Sequence, residues 1–213
     1  KYDEENNVTH GQLWKSKDWS YATMMGTEPD SYYPRDFLSN PNENNDSWDN
    51  YNVKYPDFED YGYNTDWSTL YNAVDFVCHS SDEEFRQHVA EYFDLPLLID
   101  YYILQEVILS TDNHGKNMFF GVYDKQKDKK ITFAVWDMDA TCGQRWSDDY
   151  YHWDGMNPEQ DYAAYIQTHE HGDYNLFRRL RNTDADNFNM KVRQRYQQLR
   201  QGELQTDRIL QRF

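Results

Sequence analysis

The sequence predicts an α+β fold with a mostly helical lobe and one central β-hairpin that carries its chemistry. Two observations carry that prediction. Residues 117–124 and 131–136 alternate apolar and polar side chains on either side of KQKDKK, the period of two that marks a half-buried antiparallel pair. Between Asp66 and Leu109, and again after Tyr174, apolar residues recur at three- and four-residue spacing instead, which is the helical period.

In chain order, GQLWKS at Gly11–Ser16 reads as a short strand. From Lys17 onward regular periodicity fails, and Asn, Asp, Ser and Tyr dominate around NPNENNDSWDNYN. An irregular stretch this long is unusual inside a compact domain. It reads as an insertion over about residues 17–65, pinned by Trp19, Tyr21, Trp48, Tyr51 and Tyr55. It lacks the calcium-loop pattern D-x-[DN]-x-[DN]-G-x5-E, and ordinary turn chemistry accounts for its Asn and Asp.

Asp66 opens a helix, WSTLYNAVDFVCHS, with Leu70, Val74 and Val77 on one face. Ser81 and Glu84 have the spacing of a capping box, and Phe85, Val89 and Tyr92 line the inner face of the helix they start. Asp94 caps a third helix, about Leu95–Leu109, with Pro96 tolerated in its first turn. Leu97, Tyr101, Leu104 and Ile108 recur along it, and as the most apolar helix it is expected at the centre. It runs directly into Thr111 and Asp112. Tyr174, Phe177 and Leu180 begin a packing helix. Phe188–Leu199 makes another with Val192, Tyr196 and Leu199 inward, and Gly202–Phe213 is helical and basic at its end.

The chemistry concentrates in Ser110–Gly143, STDNHGKNMFFGVYDKQKDKKITFAVWDMDATCG. Met118, Phe120 and Val122 share one face of the first strand, and Ile131, Phe133 and Val135 one face of the second. Folding the pair about the middle of KQKDKK sets Asn117 opposite the Asp137–Met138 step, with directly opposed side chains about 5 Å apart at Cβ. Oxygen atoms from Asn117, Asp137 and Asp139 then converge, a donor set suited to a hard cation such as magnesium. Asp112, five residues before Asn117, stays free to accept a proton. One carboxylate to orient a hydroxyl, with an Asn and an Asp to hold metal on phosphates, is the division of labour in phosphoryl transfer. The order Asp112, Asn117, Asp137 and the first spacing are those of protein kinases.

Composition narrows the alternatives. The 213 residues include 19 Tyr and 7 Trp, ample for a core, and the formal charge is -17. A phosphate-backbone binder needs a basic stripe, and none is visible, so nucleic acid is not an expected partner. The acidic field also repels ATP, so a cation and local basic groups, Lys15 and Lys116, have to offset it. A lysine at a strand end is more often plain surface, which is the competing reading of Lys15. Cys78 and Cys142 are expected as unpaired thiols. No run of 18 apolar residues exists to span a membrane. His114 is expected to support its loop by hydrogen bonding, and Arg145 to sit in a surface ion pair. His169, Glu170 and His171 have poor spacing for a helix-borne metal site. The abundance of Asn, Asp, Tyr and Trp gives an impression of an extracytoplasmic or cell-surface protein.

TDNHGKN followed by WDMDATCG resembles the spore-coat CotH kinase family, an atypical branch of the protein-kinase-like fold. GQLWK resembles that family's G-x-LYK segment more loosely, as do YNLFRRLRN and the following VRQRYQQL. The resemblance runs from about Gly11 to the end. It implies a single kinase-like domain over 1–213, a mostly helical lobe with the hairpin at its centre, and transfer of phosphate from ATP to protein Ser/Thr. It makes Asp112 the catalytic residue, Asn117 and Asp137 metal ligands and Asp139 an auxiliary one. No Gly-rich loop with a kinase-type lysine strand precedes GQLWK, so the nucleotide lobe is expected to be reduced, or the chain to be part of a longer protein. The alternatives are a non-catalytic binding or assembly protein on the same fold and, from the Trp and Tyr abundance, a carbohydrate-binding domain.

Overall fold

The computed structural model describes residues 2–3, 5, 8–16, 45–48, 51–57, 66–142, 162–163, 166 and 175–211. The fold is α+β. Short strands β1 (Tyr2–Asp3) and β2 (Val8–Thr9) pair with each other. A five-stranded antiparallel sheet contains β3 (Gln12–Ser16), β4 (Ser47–Trp48), β5 (Tyr51–Tyr55), β6 (Met118–Val122) and β7 (Thr132–Val135), in the order β4-β5-β3-β6-β7. The helices are α1 (Ser68–His79), α2 (Asp82–Tyr92), α3 (Leu95–Ile108), α4 (Leu176–Thr183), α5 (Phe188–Gln201) and α6 (Thr206–Leu210).

One face of the sheet is the core face. Trp14 lies opposite Phe120, which lies opposite Phe133, and all three are buried. Phe93 and Tyr101, from the start and middle of the helical layer, pack on Phe133 at 5.9 and 5.8 Å between ring centroids. Strands β4 and β5 fall within the stretch expected to be irregular. Trp48 and Tyr51, read as its anchors, are buried and stacked 5.7 Å apart. Trp19 and Tyr21 lie outside the described residues.

The helix starts follow the local chemistry. Asp66 accepts the backbone N–H of Ser68, Ser81 and Glu84 close a full capping box, and Asp94 accepts from Leu97 N. Each satisfies a helix-terminal donor that has no partner within the helix. The buried stripe of α3 is not the one expected. Leu97 and Leu104 are exposed at 46% and 38%, while Leu98, Ile99, Tyr101, Ile103 and Gln105 are buried. A helix apolar on nearly every side carries little periodicity, so the sheet selects the face. In α5 only Phe188 is fully buried, and Tyr196 is exposed.

The hairpin register also differs. Met118 pairs with Val135 and Phe120 with Phe133, which continues to Asn117 opposite Trp136 rather than the Asp137–Met138 step. The cause is an earlier, tighter turn. The Asp124 carbonyl accepts from Lys127 N and Asp128 N at 2.9 and 3.0 Å, and its side chain accepts from Gln126 N. Lys129 and Lys130 therefore fall beyond the turn. Ile131 then docks on the α2–α3 junction, donating to the Tyr92 carbonyl and accepting from Asp94 N. Val135, expected inward, is 40% exposed at the strand end.

Asp66 ties three elements together. Its carboxylate takes Lys125 Nζ from the hairpin turn at 2.5 Å and the Ser68 hydroxyl at 2.6 Å, and its carbonyl takes Gln12 Nε2 from β3. Burial pushes this carboxyl up, but the bonds from Lys125 and Ser68 outweigh it, and the net shift is below the ordinary 3.8. A depressed acid adds stability above its unfolded pKa and loses it as pH falls through the folded value. The stability lead of the wild type over Asp66→Asn should therefore be present at neutral pH and shrink as pH drops below 3.8. Urea unfolding across that range checks this; a lead independent of pH would remove the charge from the account.

Candidate functional site

The site is built where α3 ends. Leu109 turns left-handed at the helix C-cap (φ 52°), and Ser110 N returns to the Gln105 carbonyl at 3.0 Å. The Ile108 carbonyl accepts Cys142 N, and Thr111 donates its N–H and its hydroxyl to the Ala140 carbonyl. The segment after β7 thus satisfies groups at the end of α3. Loop 110–117 and segment 136–142 are laced side by side.

Within the loop the polar groups are buried. Asp112 is 3% exposed, Asn117 8%, and Asn113 and His114 are inaccessible. Asn117 Nδ2 donates to Asp112 Oδ2 at 2.9 Å, and Lys116 Nζ lies 3.1 Å from the same oxygen. Burial pushes the Asp112 carboxyl up; Lys116 pulls the other way, and the Asp139 and Asp137 charges add to the rise. The sequence reading of Asp112 as standing apart is therefore too simple, since it feels both carboxylates. Asp137 and Asp139 are exposed.

Asn117 and Asp137 share a backbone feature: both are left-handed, at φ 53° and 55°. Asn and Asp tolerate this region better than other residues with a Cβ. It costs each about 1 kcal/mol or more, so surrounding bonds must hold it. Those bonds come from Asn113, whose Nδ2 donates to the Asn117 carbonyl at 3.1 Å and to the Trp136 carbonyl at 2.5 Å. Ser110 Oγ donates to Asn113 Oδ1, and the Tyr101 hydroxyl donates to the Asn113 carbonyl, each at 2.6 Å. Ser16 Oγ, from β3, donates to the Gly115 carbonyl at 3.1 Å.

His114 supports the loop, as expected. Its Nε2 is 2.7 Å from the Tyr162 hydroxyl and 3.7 Å from Glu106 Oε1. Lys15 lies on β3 opposite Phe119, and its Nζ sits 5.2 Å over the ring of Trp136, the residue before Asp137. Trp136 is half-exposed and packs edge-on against Phe119 at 5.4 Å. Cys78 is buried and Cys142 exposed, and the two are not joined in a disulfide. Arg145, His169, Glu170 and His171 lie outside the described residues.

Asn113, Ser110, Tyr101 and Ser16 escaped sequence reasoning. The one available signal was Tyr101, a hydroxyl-bearing residue on the buried side of α3.

Among the described residues, no three His, Cys, Asp or Glu side chains are grouped to hold a cation. The candidate donor set is different in kind: the carboxylates of Asp137 and Asp139 with the amide oxygen of Asn117. With Asn117 Nδ2 turned to Asp112, its Oδ1 is the atom left for a cation. These oxygens fit a hard divalent ion.

An α+β protein with a buried carboxylate in a polar loop, bracketed by a hairpin that ends in a second acidic segment, is the class that fold and site define. The chain belongs to the CotH kinase protein family, whose model matches residues 6–212, nearly its whole length. No curated protein and no solved structure matches the chain. Among the described residues, no helix is long and apolar enough to cross a membrane.

Proposed function

We propose that this protein transfers the terminal phosphoryl group of ATP to a protein Ser or Thr hydroxyl, and that loop 110–117 is its catalytic loop. The observation that carries the reading is Asp112: a buried carboxylate bonded to Asn117 and Lys116 and within electrostatic reach of Asp137 and Asp139. Family membership supports a kinase-like activity.

In this reading Asp112 orients the acceptor hydroxyl and takes its proton. Its raised pKa makes it a stronger base than an exposed aspartate. Asn117, Asp137 and, in an auxiliary role, Asp139 hold magnesium. Bound there, the ion neutralises charge on the β- and γ-phosphates. Lys116 lies against Asp112, where it can meet the transferred group. Lys15, whose Nζ lies over the ring of Trp136, is the second basic group of this reading and meets the nucleotide. Both lysines offset a strongly acidic chain. The acceptor is a protein, and the extracytoplasmic or cell-surface setting read from composition belongs to the same proposal, as does a single domain over 1–213.

The test is transfer of γ-labelled phosphate from ATP to the protein itself or to a mixed Ser/Thr protein acceptor, with and without magnesium. Magnesium-dependent label that is recovered after partial acid hydrolysis as phosphoserine or phosphothreonine, and not as alkali-stable phosphotyrosine, is the expected result. Binding of Mg·ATP without any transfer would favour the non-catalytic binding or assembly role instead.

A further inference from the structure

We infer that Asn113 is the positioning residue that sets the spacing between the two arms of the cation site, through one side-chain amide that touches neither substrate nor cation. The inference rests on the phosphoryl-transfer reading and adds a residue to it. One of the carbonyls that Asn113 Nδ2 holds leaves Asn117; the other, that of Trp136, enters Asp137. These are the peptide groups adjoining two candidate ligands that flank the two strands at the open end of the hairpin. Both ligands have left-handed backbones, so each depends on its flanking peptide staying in place.

The amide has no freedom to do anything else. A primary amide has two N–H donors, and both are used on these carbonyls. Its oxygen takes the Ser110 hydroxyl, and the backbone carbonyl of the same residue takes the Tyr101 hydroxyl. Turning the amide over would set its oxygen against two carbonyl oxygens. Asn113 is inaccessible to solvent, so water cannot substitute for a lost bond there. Tyr101, whose hydroxyl burial pushes far above the ordinary phenol range, remains a neutral donor at any working pH. A helix, a loop and a strand end are thus joined at one residue. Small errors in ligand spacing weaken a cation site strongly, and outer partners of ligands typically matter by 10–100-fold in affinity.

The test compares wild type, Asn113→Asp and Ser110→Ala. Asn113→Asp keeps the shape and removes both donors; Ser110→Ala keeps the donors and removes the hydroxyl that anchors the amide oxygen. Mn2+ binding in the presence of ATP is read by electron paramagnetic resonance, and the Mg2+ dependence of transfer is read alongside it. Asn113→Asp should weaken Mn2+ binding and raise the half-saturating Mg2+ by about tenfold or more, with transfer partly restored at high Mg2+. Ser110→Ala should shift both in the same direction by less. A merely structural role would lower the folded fraction and scale kcat without moving half-saturation. If Asn113→Asp does not fold, the Ser110→Ala shift decides. Unchanged Mn2+ affinity and Mg2+ half-saturation in the folded variants, with an active wild type, overturn the positioning role alone. A wild type with neither Mn2+ binding nor transfer overturns both readings.

Discussion

Asp112→Asn should lower phosphoryl transfer by about 10³-fold, the middle of the range for losing a general base, while the protein melts at the wild-type temperature or above it. The second half follows from the sign of the pKa shift. The folded carboxyl is raised, chiefly by burial. Above its unfolded pKa the folded chain then holds more protons than the unfolded one, so stability falls as pH rises through the folded value. At neutral pH the ionised carboxylate is therefore a net burden on the fold. Asparagine removes that burden, and its oxygen can still accept from Asn117 Nδ2. The loss of the ion pair with Lys116, which is part-exposed, works the other way and limits the gain. Label transfer and calorimetric melting on the same preparation check both halves. Full activity would remove Asp112 from the chemistry, and a large drop in melting temperature would make it a structural residue.

The largest stability effect away from the site should come from Arg179. This arginine of α4 is 3% exposed and acts as a staple. Its guanidinium donates to the Val77 carbonyl at 2.6 Å, to the Ser80 hydroxyl and carbonyl at 3.1 and 3.0 Å, and to Asp82 at 2.9 Å. It also lies 4.3 Å over the ring of Phe85. Val77 and Ser80 close α1, and Asp82 opens α2, so one side chain satisfies a helix end and joins three helices. Arg179→Met keeps most of the volume but leaves carbonyl groups at that end without donors. Each buried acceptor so left costs about 1–3 kcal/mol, for a loss of about 3 kcal/mol overall. Urea unfolding measures it; a loss under about 1 kcal/mol would mean that water reaches those carbonyls.

The parts legible in the sequence are those governed by short-range rules. The capping box at Ser81, the Asp94 cap and the alternation of Met118, Phe120 and Val122 each follow from a few neighbouring residues. The errors arise where the sequence pattern leaves more than one choice open. The hairpin register depends on hydrogen bonds around Asp124 that composition does not mark, because KQKDKK is equally polar throughout. The buried face of α3 depends on which side meets Phe133, and a helix apolar on nearly every side gives little advance notice. Strand β5 pairs with β3, and β4 with β5, despite an Asn- and Asp-rich setting, because Trp48, Tyr51 and Val53 bury against the sheet. At the candidate site, residues with obvious ionic chemistry stood out, namely Asp112, Lys116, Asp137 and Asp139, and Asn117 stood out by its five-residue spacing from Asp112. Asn113 did not, since a neutral amide beside them looks like any loop residue until its four bonds are seen.

The central claim is that Asp137 and Asn117 hold a divalent cation on a nucleotide beside Asp112. Calorimetric titration of wild type and Asp137→Ala with ATP in excess magnesium tests it most directly. The account predicts saturable binding at one site in the wild type and a loss on the order of 10–100-fold or more in the variant, since a ligand should matter at least as much as an outer partner. No binding by the wild type, or equal binding by both proteins, would contradict it.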